Sequence, residues 1–231
     1  MAYEVILFDF GETLARTGFE VWGEASLSSL RRFGFRGSLD NVARAWSKAW
    51  EDIDTPEGVA HVEHSTDAEA YDRWRGEIER RALAHLGFQD PSPELIAATL
   101  EIQDRHQYVL FDDTLPALAA LRQRGYRLGV LSNFTWRLPE IVRELGLAPY
   151  VEHVVVSARA GYRKPHPEIF RRALEAFRVE PSEALVVGDS LLADVEGARR
   201  AGIAAVLLDR SGAHDGHKPR IRSLAELLDL V

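Results

Sequence analysis

Val5-Ile6-Leu7-Phe8 is an unbroken apolar run that stops at Asp9. A run without alternation predicts a strand buried on both faces, as in a parallel sheet. Gly11 then signals a turn. From about Val21 to about Gln107 the period changes. Trp22, Leu27 and Leu30, then Val42, Trp46 and Trp50, then Trp74, Ile78 and Leu83, then Leu95, Ile96 and Leu100 recur at helical spacing. Gly34-Phe35-Arg36-Gly37, Thr55-Pro56-Glu57-Gly58 and Asp90-Pro91-Ser92-Pro93 interrupt them as loops. No strand pattern occurs in this stretch, which reads as an inserted helical domain.

After Phe111 strands and helices alternate. Helices are expected at Leu115 to Arg124, Leu138 to Leu145, Pro167 to Phe177, Asp194 to Arg200 and Ser223 to Leu230. Gly125, Gly146 and Gly202 stop three of them. Ser223 and Glu226 have the spacing of a capping box. Strands are expected at Leu128 to Leu131, Val154 to Val156, Ala184 to Val187 and Ala204 to Leu208. This rhythm predicts an α/β fold: a Rossmann-like parallel sheet with helices on both faces, plus the helical insert. The domain division expected is a core of residues 1–15 and 112–231 and a cap of residues 16–111.

Composition narrows the function. The 231 residues are 46 % hydrophobic and 28 % charged, the balance of a packed globular protein. No apolar stretch reaches bilayer length, and the start lacks a basic region and a long apolar run, so a cytoplasmic protein is expected. A formal net charge of −8, with no long Lys/Arg block, argues against nucleic-acid and anionic-membrane partners. The absence of cysteine excludes disulfides, thiolate catalysis and zinc–thiolate sites.

In open α/β sheets ligands bind beyond the carboxyl ends of the strands. Asp9, Ser132 and Asp189 end predicted strands, and Lys164 lies on the loop after another. Asp194 falls near the start of the following helix. Carboxylates at positions 9, 189 and 194 suit Mg²⁺, which prefers oxygen ligands. Clustered carboxylates repel one another unless a cation neutralises them. Lys164 can pair with a carboxylate and a phosphate together. Ser132 can donate to a phosphate oxygen, and the turn after Asp9 can form an anion-binding nest. This set describes phosphoryl transfer, with a carboxylate as the natural nucleophile.

Asp9-Phe10-Gly11-Glu12-Thr13-Leu14, Leu131-Ser132-Asn133, Arg163-Lys164-Pro165 and Gly188-Asp189-Ser190 with Asp194 resemble, in order and spacing, the four motifs of the haloacid dehalogenase superfamily. The insert resembles that superfamily's C1-type cap. The resemblance implies a covalent intermediate on Asp9, a first loop fixed by Thr13, and a transferring group bound by Ser132 with its neighbour Asn133. It implies that Lys164 balances charge and that Mg²⁺ is held by Asp9, Asp189, Asp194 and the backbone carbonyl of Gly11. One position departs. Phosphatases of the superfamily usually carry a second Asp, the general acid and base, where this chain has Gly11. Loss of a positioned acid costs about 10²–10⁴-fold. Glu12 stands where the family usually has glycine and is a candidate to supply the missing carboxyl.

Three functions are therefore expected in rank order. The first is a Mg²⁺-dependent phosphatase of a small phosphorylated metabolite. The second is a 2-haloacid dehalogenase, because a halide needs no proton to leave. The third is a binding or regulatory protein that kept the fold and lost most turnover. His61 with His64 and His214 with His217 lack a third ligand and are read as solvated. The cap tryptophans Trp22, Trp46, Trp50 and Trp74 are read as core rather than pocket, and the pairs Arg31-Arg32 and Arg80-Arg81 as solvated faces.

Overall fold

A computed structural model describes residues 3–17, 19–54, 68–105 and 108–231. Six parallel strands form the central sheet in the order β5-β4-β1-β6-β7-β8: His153–Val156, Arg127–Ser132, Val5–Phe8, Ala184–Gly188, Ala204–Leu208 and Arg220–Ile221. β1 lies in the middle, flanked by β4 and β6. Its pleat explains its unbroken hydrophobicity. Ile6 and Phe8 enter one apolar cluster with Leu118, Leu121 and Leu138, and Val5 and Leu7 enter another with Ile169, Phe170 and Phe177. Both faces are thus covered by helices, as the pattern required. Phe8 and Phe170 are fully buried, and truncating either to alanine carries a cost of about 3–5 kcal/mol.

The insert is helical: α1 Phe19–Arg32, α2 Leu39–Asp54, α3 Ala68–His85 and α4 Pro93–Asp104. These helices bury a cluster of their own, including Leu30, Val42, Trp46, Ile78, Leu83 and Leu95. α4 starts as its sequence dictates, with Pro93 in the first turn and Ser92 Oγ accepting from the Leu95 amide at 3.2 Å. The loop expected at Thr55-Pro56-Glu57-Gly58 and the pair His61 and His64 lie outside the described residues. Among the described residues no helix is long and apolar enough to cross a membrane.

Three short strands have no counterpart in the periodicity, β8 at the sheet edge among them. β2, Ala15–Arg16, pairs antiparallel with β3, Val109–Leu110, where the chain leaves and rejoins the sheet layer. Two residues are too few to show a repeat. Arg210 pins this junction. Its guanidinium holds both oxygens of Asp113 at 3.0 and 2.9 Å, donates to the Thr13 carbonyl at 2.9 Å, and stacks on Phe111 at 3.8 Å.

Other helices follow as α5 Thr114–Gln123, α6 Leu138–Glu144, α7 Ser157–Ala160, α8 Pro167–Phe177, α9 Leu191–Glu196, α10 Gly197–Arg200 and α11 Leu224–Leu227. α7 has no expected counterpart, and two others depart from the expected helices. The helix expected from Asp194 starts three residues earlier, as the wide π-type turn α9. Ser190 is the reason: its hydroxyl accepts from the Ala193 amide at 3.1 Å, and Asp194 Oδ2 accepts from the Ser190 amide at 3.0 Å. This reciprocal cap moves the helix start upstream. The capping box expected at Ser223 is not formed. Ser223 makes no side-chain cap bond, Glu226 accepts instead from the Arg222 amide at 3.1 Å, and α11 is one short turn.

Candidate active site

Asp9 follows β1, Ser132 ends β4, Lys164 lies in the loop before α8, Asp189 follows β6, and Asp194 sits in α9. Neighbouring parallel strands deliver the first, second and fourth of these to one edge of the sheet. All five line one cavity of about 650 Å³, together with Gly11, Glu12, Thr17 and Asn133.

Lys164 is at the centre. Its ammonium donates to Asp9 Oδ1 at 2.6 Å and to Asp194 Oδ1 at 2.5 Å, and its side chain is almost wholly buried. Burial alone would lower its pKa, but the two carboxylates outweigh this and raise it, so the lysine stays charged. Asn133 clamps the same residue from its backbone: Nδ2 donates to the Lys164 carbonyl at 2.8 Å, and Oδ1 accepts from the Lys164 amide at 2.6 Å. The amide expected to touch substrate is thus engaged in holding the lysine.

Carboxylate oxygens of Asp9, Asp189 and Asp194 lie within 4.8 Å of one another. Burial, then the charges of Asp9 and Asp194, push the Asp189 pKa well up. Burial also raises Asp194, to about 6, against the opposing pull of Lys164. Three carboxyls lie beside one lysine, so ionising all of them would leave the cluster with more negative than positive charge. Thr13 stands behind the cluster, fully buried, with its hydroxyl 3.4 Å from Asp189 Oδ1. Ser132 is 1 % exposed and faces the same cavity.

The first loop answers where Glu12 points. Its carboxylate accepts from the Thr17 amide at 2.7 Å and from the Thr17 hydroxyl at 3.3 Å. Glu12 adopts a left-handed φ of 52°, a strained conformation that this tether helps hold. A Cβ on Gly11 would lie 2.8 Å from Thr17 Oγ1, so the glycine and the threonine are matched in space.

Opposite the strand ends, the helical insert supplies the rest of the wall. Trp46 belongs to the insert's core, at 3 % exposure, yet Trp22, Trp46, Trp50 and Trp74 all line the cavity. The core reading of these rings is therefore only half the account. Arg163 lies over the Trp50 and Trp74 rings at 5.3 and 5.9 Å. Glu79 is 2 % exposed, and its Oε2 accepts from Trp46 Nε1 at 3.2 Å and Gln103 Nε2 at 2.9 Å. Thr17 and Glu79 stand in no motif of the sequence, and Ser190 stands in one without an assigned role. Only Ser190, an N-cap type four residues before an acid, carried a readable signal.

Among the described residues His214 and His217 join no metal-ligating cluster. Arg31, Arg32, Arg80 and Arg81 are exposed.

Fold and site together define a doubly wound α/β protein with a carboxylate–lysine centre at its strand ends and a helical insert over it. A family model for haloacid dehalogenase-like hydrolases matches residues 3–202, and the chain belongs to that family. It is similar to the glyceraldehyde 3-phosphate phosphatase of Methanopyrus kandleri, 35 % identical over 62 % of this chain and 66 % of that one. It is also similar to the phosphoserine phosphatase of Thermus thermophilus, 37 % identical over 62 % of this chain and 59 % of that one. The matched part spans less than two thirds of either relative. In fold it is similar to the magnesium-bound hydrolase YfnB of Bacillus subtilis, with a TM-score of 0.78 over 100 % of this chain and 99 % of that one, at 19 % identity.

Proposed function

We propose that the chain is a phosphoric monoester hydrolase that works through an aspartyl-phosphate on Asp9, with Mg²⁺ as cofactor and a small phosphorylated molecule as substrate. The observation that carries this reading is Lys164, which bridges Asp9 and Asp194 at 2.6 and 2.5 Å beside Asp189. The relatives named for phosphatase activity support it. The division we propose, a core of residues 1–15 and 112–231 and a cap of residues 16–111, is supported by the apolar cluster that the insert buries on its own.

The donor set fits a hard divalent cation. Oxygens of three aspartates are gathered, and two of these carboxyls have pKa values raised by burial and mutual repulsion, a condition that a cation relieves. Asp9, Asp189, Asp194 and the Gly11 carbonyl would hold it. When bound, such an ion supplies a Lewis acid for phosphoryl oxygens.

The chain's own residues do the rest. Lys164 orients Asp9 through its Oδ1 and presents positive charge where the transferring phosphoryl group gathers negative charge. Asp9 attacks phosphorus with a carboxylate oxygen, and water then cleaves the acyl phosphate. Ser132 offers its hydroxyl to a phosphoryl oxygen, Thr13 supports Asp189 from behind, and Asn133 fixes the backbone of Lys164.

Dehalogenation of a 2-haloacid is the second reading, favoured by Gly11 alone. It leaves the excess negative charge at Asp189 and Asp194 without a purpose, and chloride release from 2-chloropropionate tests it. The decisive test of the phosphatase reading is turnover of an aryl phosphate, with and without Mg²⁺, by wild type and Asp9→Asn. Metal-dependent turnover abolished by the substitution is expected; equal activity in both proteins rejects the mechanism.

A further inference from the structure

We infer that the substrate is an aryl phosphate, the phosphate ester of a planar ring bearing a phenol-type hydroxyl. The inference rests on the phosphatase reading and adds the leaving group. Two independent observations carry it.

The first is the shape and lining of the cavity. About 650 Å³ is the size that takes a drug-sized ligand, well beyond a three-carbon phosphate. Trp22, Trp46, Trp50, Tyr71, Trp74 and Tyr108 face it. Trp22 meets Trp46 edge to face at 5.7 Å, and Trp50 meets Trp74 likewise at 6.4 Å, forming two aromatic corners, the second shared with the Arg163 guanidinium. Trp50 keeps 39 % of its surface exposed, although an indole is costly to leave in water. Arg75, also in the wall, already pairs with Asp104 at 2.9 Å and Asp72 at 3.7 Å, so its charge does not call for a second anion. Walls of this kind select a flat apolar group.

The second observation is the absence of a proton donor on the first loop. Gly11 has no side chain, and Thr17 Oγ1 stands 2.8 Å from where its Cβ would be. The neighbouring Glu12 carboxylate is occupied by the Thr17 amide and hydroxyl. With no acid on that loop, a leaving oxygen that is stable as an anion is favoured. A phenolic oxygen has a pKa of about 10, several units below an alkoxide, whose parent hydroxyl lies near the value of water, about 15.7.

The chemistry balances. An Asp9 carboxylate oxygen bonds to phosphorus while the aryl O–P bond breaks, and the phenolate leaves with the electron pair. Water then cleaves the acyl phosphate to inorganic phosphate and the free Asp9 carboxylate. The proton released from that water goes, through solvent, to the phenolate.

The test is kcat/KM with Mg²⁺ for a series of substituted phenyl phosphates beside glyceraldehyde 3-phosphate and phosphoserine. Aryl esters are expected to exceed both three-carbon phosphates by about 100-fold, the scale of a missing acid, and rates should fall steeply as the phenol pKa rises. Trp50→Leu should lower the aryl-to-alkyl ratio about 10-fold, and Trp50→Phe should restore most of it, because a ring rather than bulk is needed. A preference for the three-carbon phosphates, rates indifferent to phenol pKa, or an unchanged ratio in Trp50→Leu overturns the inference and leaves the phosphatase reading standing. Hydrolysis of no ester by the wild type overturns both.

Discussion

Gly188 and Asp194 are so close that a Cβ on the glycine would sit 2.2 Å from Asp194 Oδ2. The carboxylate that anchors Lys164 and caps α9 thus occupies the space a side chain at 188 would fill. Gly188→Ala should push Asp194 off both partners. Displacing a group that orients metal and nucleophile costs about 10–100-fold. We expect a loss of that size in kcat/KM for an aryl phosphate, with an unchanged far-ultraviolet circular dichroism spectrum. Full activity would show that Asp194 is not held tightly.

Lys164→Met removes the ammonium that the buried Asp9 and Asp194 carboxylates share. Breaking a buried ion pair by deleting one partner costs about 3–5 kcal/mol. The melting temperature should drop accordingly. Added MgCl₂ should raise it more in the variant than in wild type, because the cation relieves a larger uncompensated charge. Thermal melts with MgCl₂ or with a chelator measure this. Identical magnesium increments in both proteins would argue against a metal at the cluster.

The fit between Gly11 and Thr17 is testable by rebuilding. Gly11→Asp alone forces its Cβ against Thr17 Oγ1 and should impair activity. With Thr17→Ala added, the carboxyl has room, while the amide at 17 remains to hold Glu12. The double variant should hydrolyse alkyl phosphates about 10²-fold faster than wild type, the gain of a positioned acid. Its dependence on leaving-group pKa should flatten. An alkyl-phosphate rate no better than wild type would count against the account of the first loop.

Glu79 makes a prediction about stability. Burial raises its pKa above the ordinary carboxylate value. Between those two values the folded state binds more protons than the unfolded state, so this group favours folding at low pH. That advantage is lost as pH climbs through the raised folded value. Glu79→Gln keeps an acceptor for Trp46 and Gln103 and removes the ionisation. The difference in melting temperature, variant minus wild type, should therefore become more positive as pH climbs from the ordinary carboxylate value through the raised folded one, at about 2–4 °C per kcal/mol for a chain of this size. A difference that is flat with pH would mean Glu79 titrates normally.

Much of this architecture is written in the chain. Val5 to Phe8 and Ala204 to Leu208 are strands with the expected limits, since unbroken apolar runs belong to strands covered on both faces. Pro167 to Phe177 is likewise a helix as expected, set by Pro167 in its first turn. The alternation of strands and helices dictates parallel pairing, and pairing beside β1 brings residues 9, 132 and 189 to one edge. The sequence by itself therefore determined the layers and the company that Asp9 keeps.

Tertiary structure decided the rest, because the relevant distances span unrelated segments. Only folding puts Thr17 where it takes the Glu12 carboxylate and crowds position 11. Only folding turns Trp50 and Trp74 toward the strand ends, because helical spacing records that a ring is on one side of a helix and not what stands opposite. Asn133 reads as a ligand in a motif and becomes a clamp on Lys164 once residues 31 positions apart touch. Periodicity reports burial, a one-body property of each residue. Site chemistry is a property of pairs, and the pairs are made by the fold.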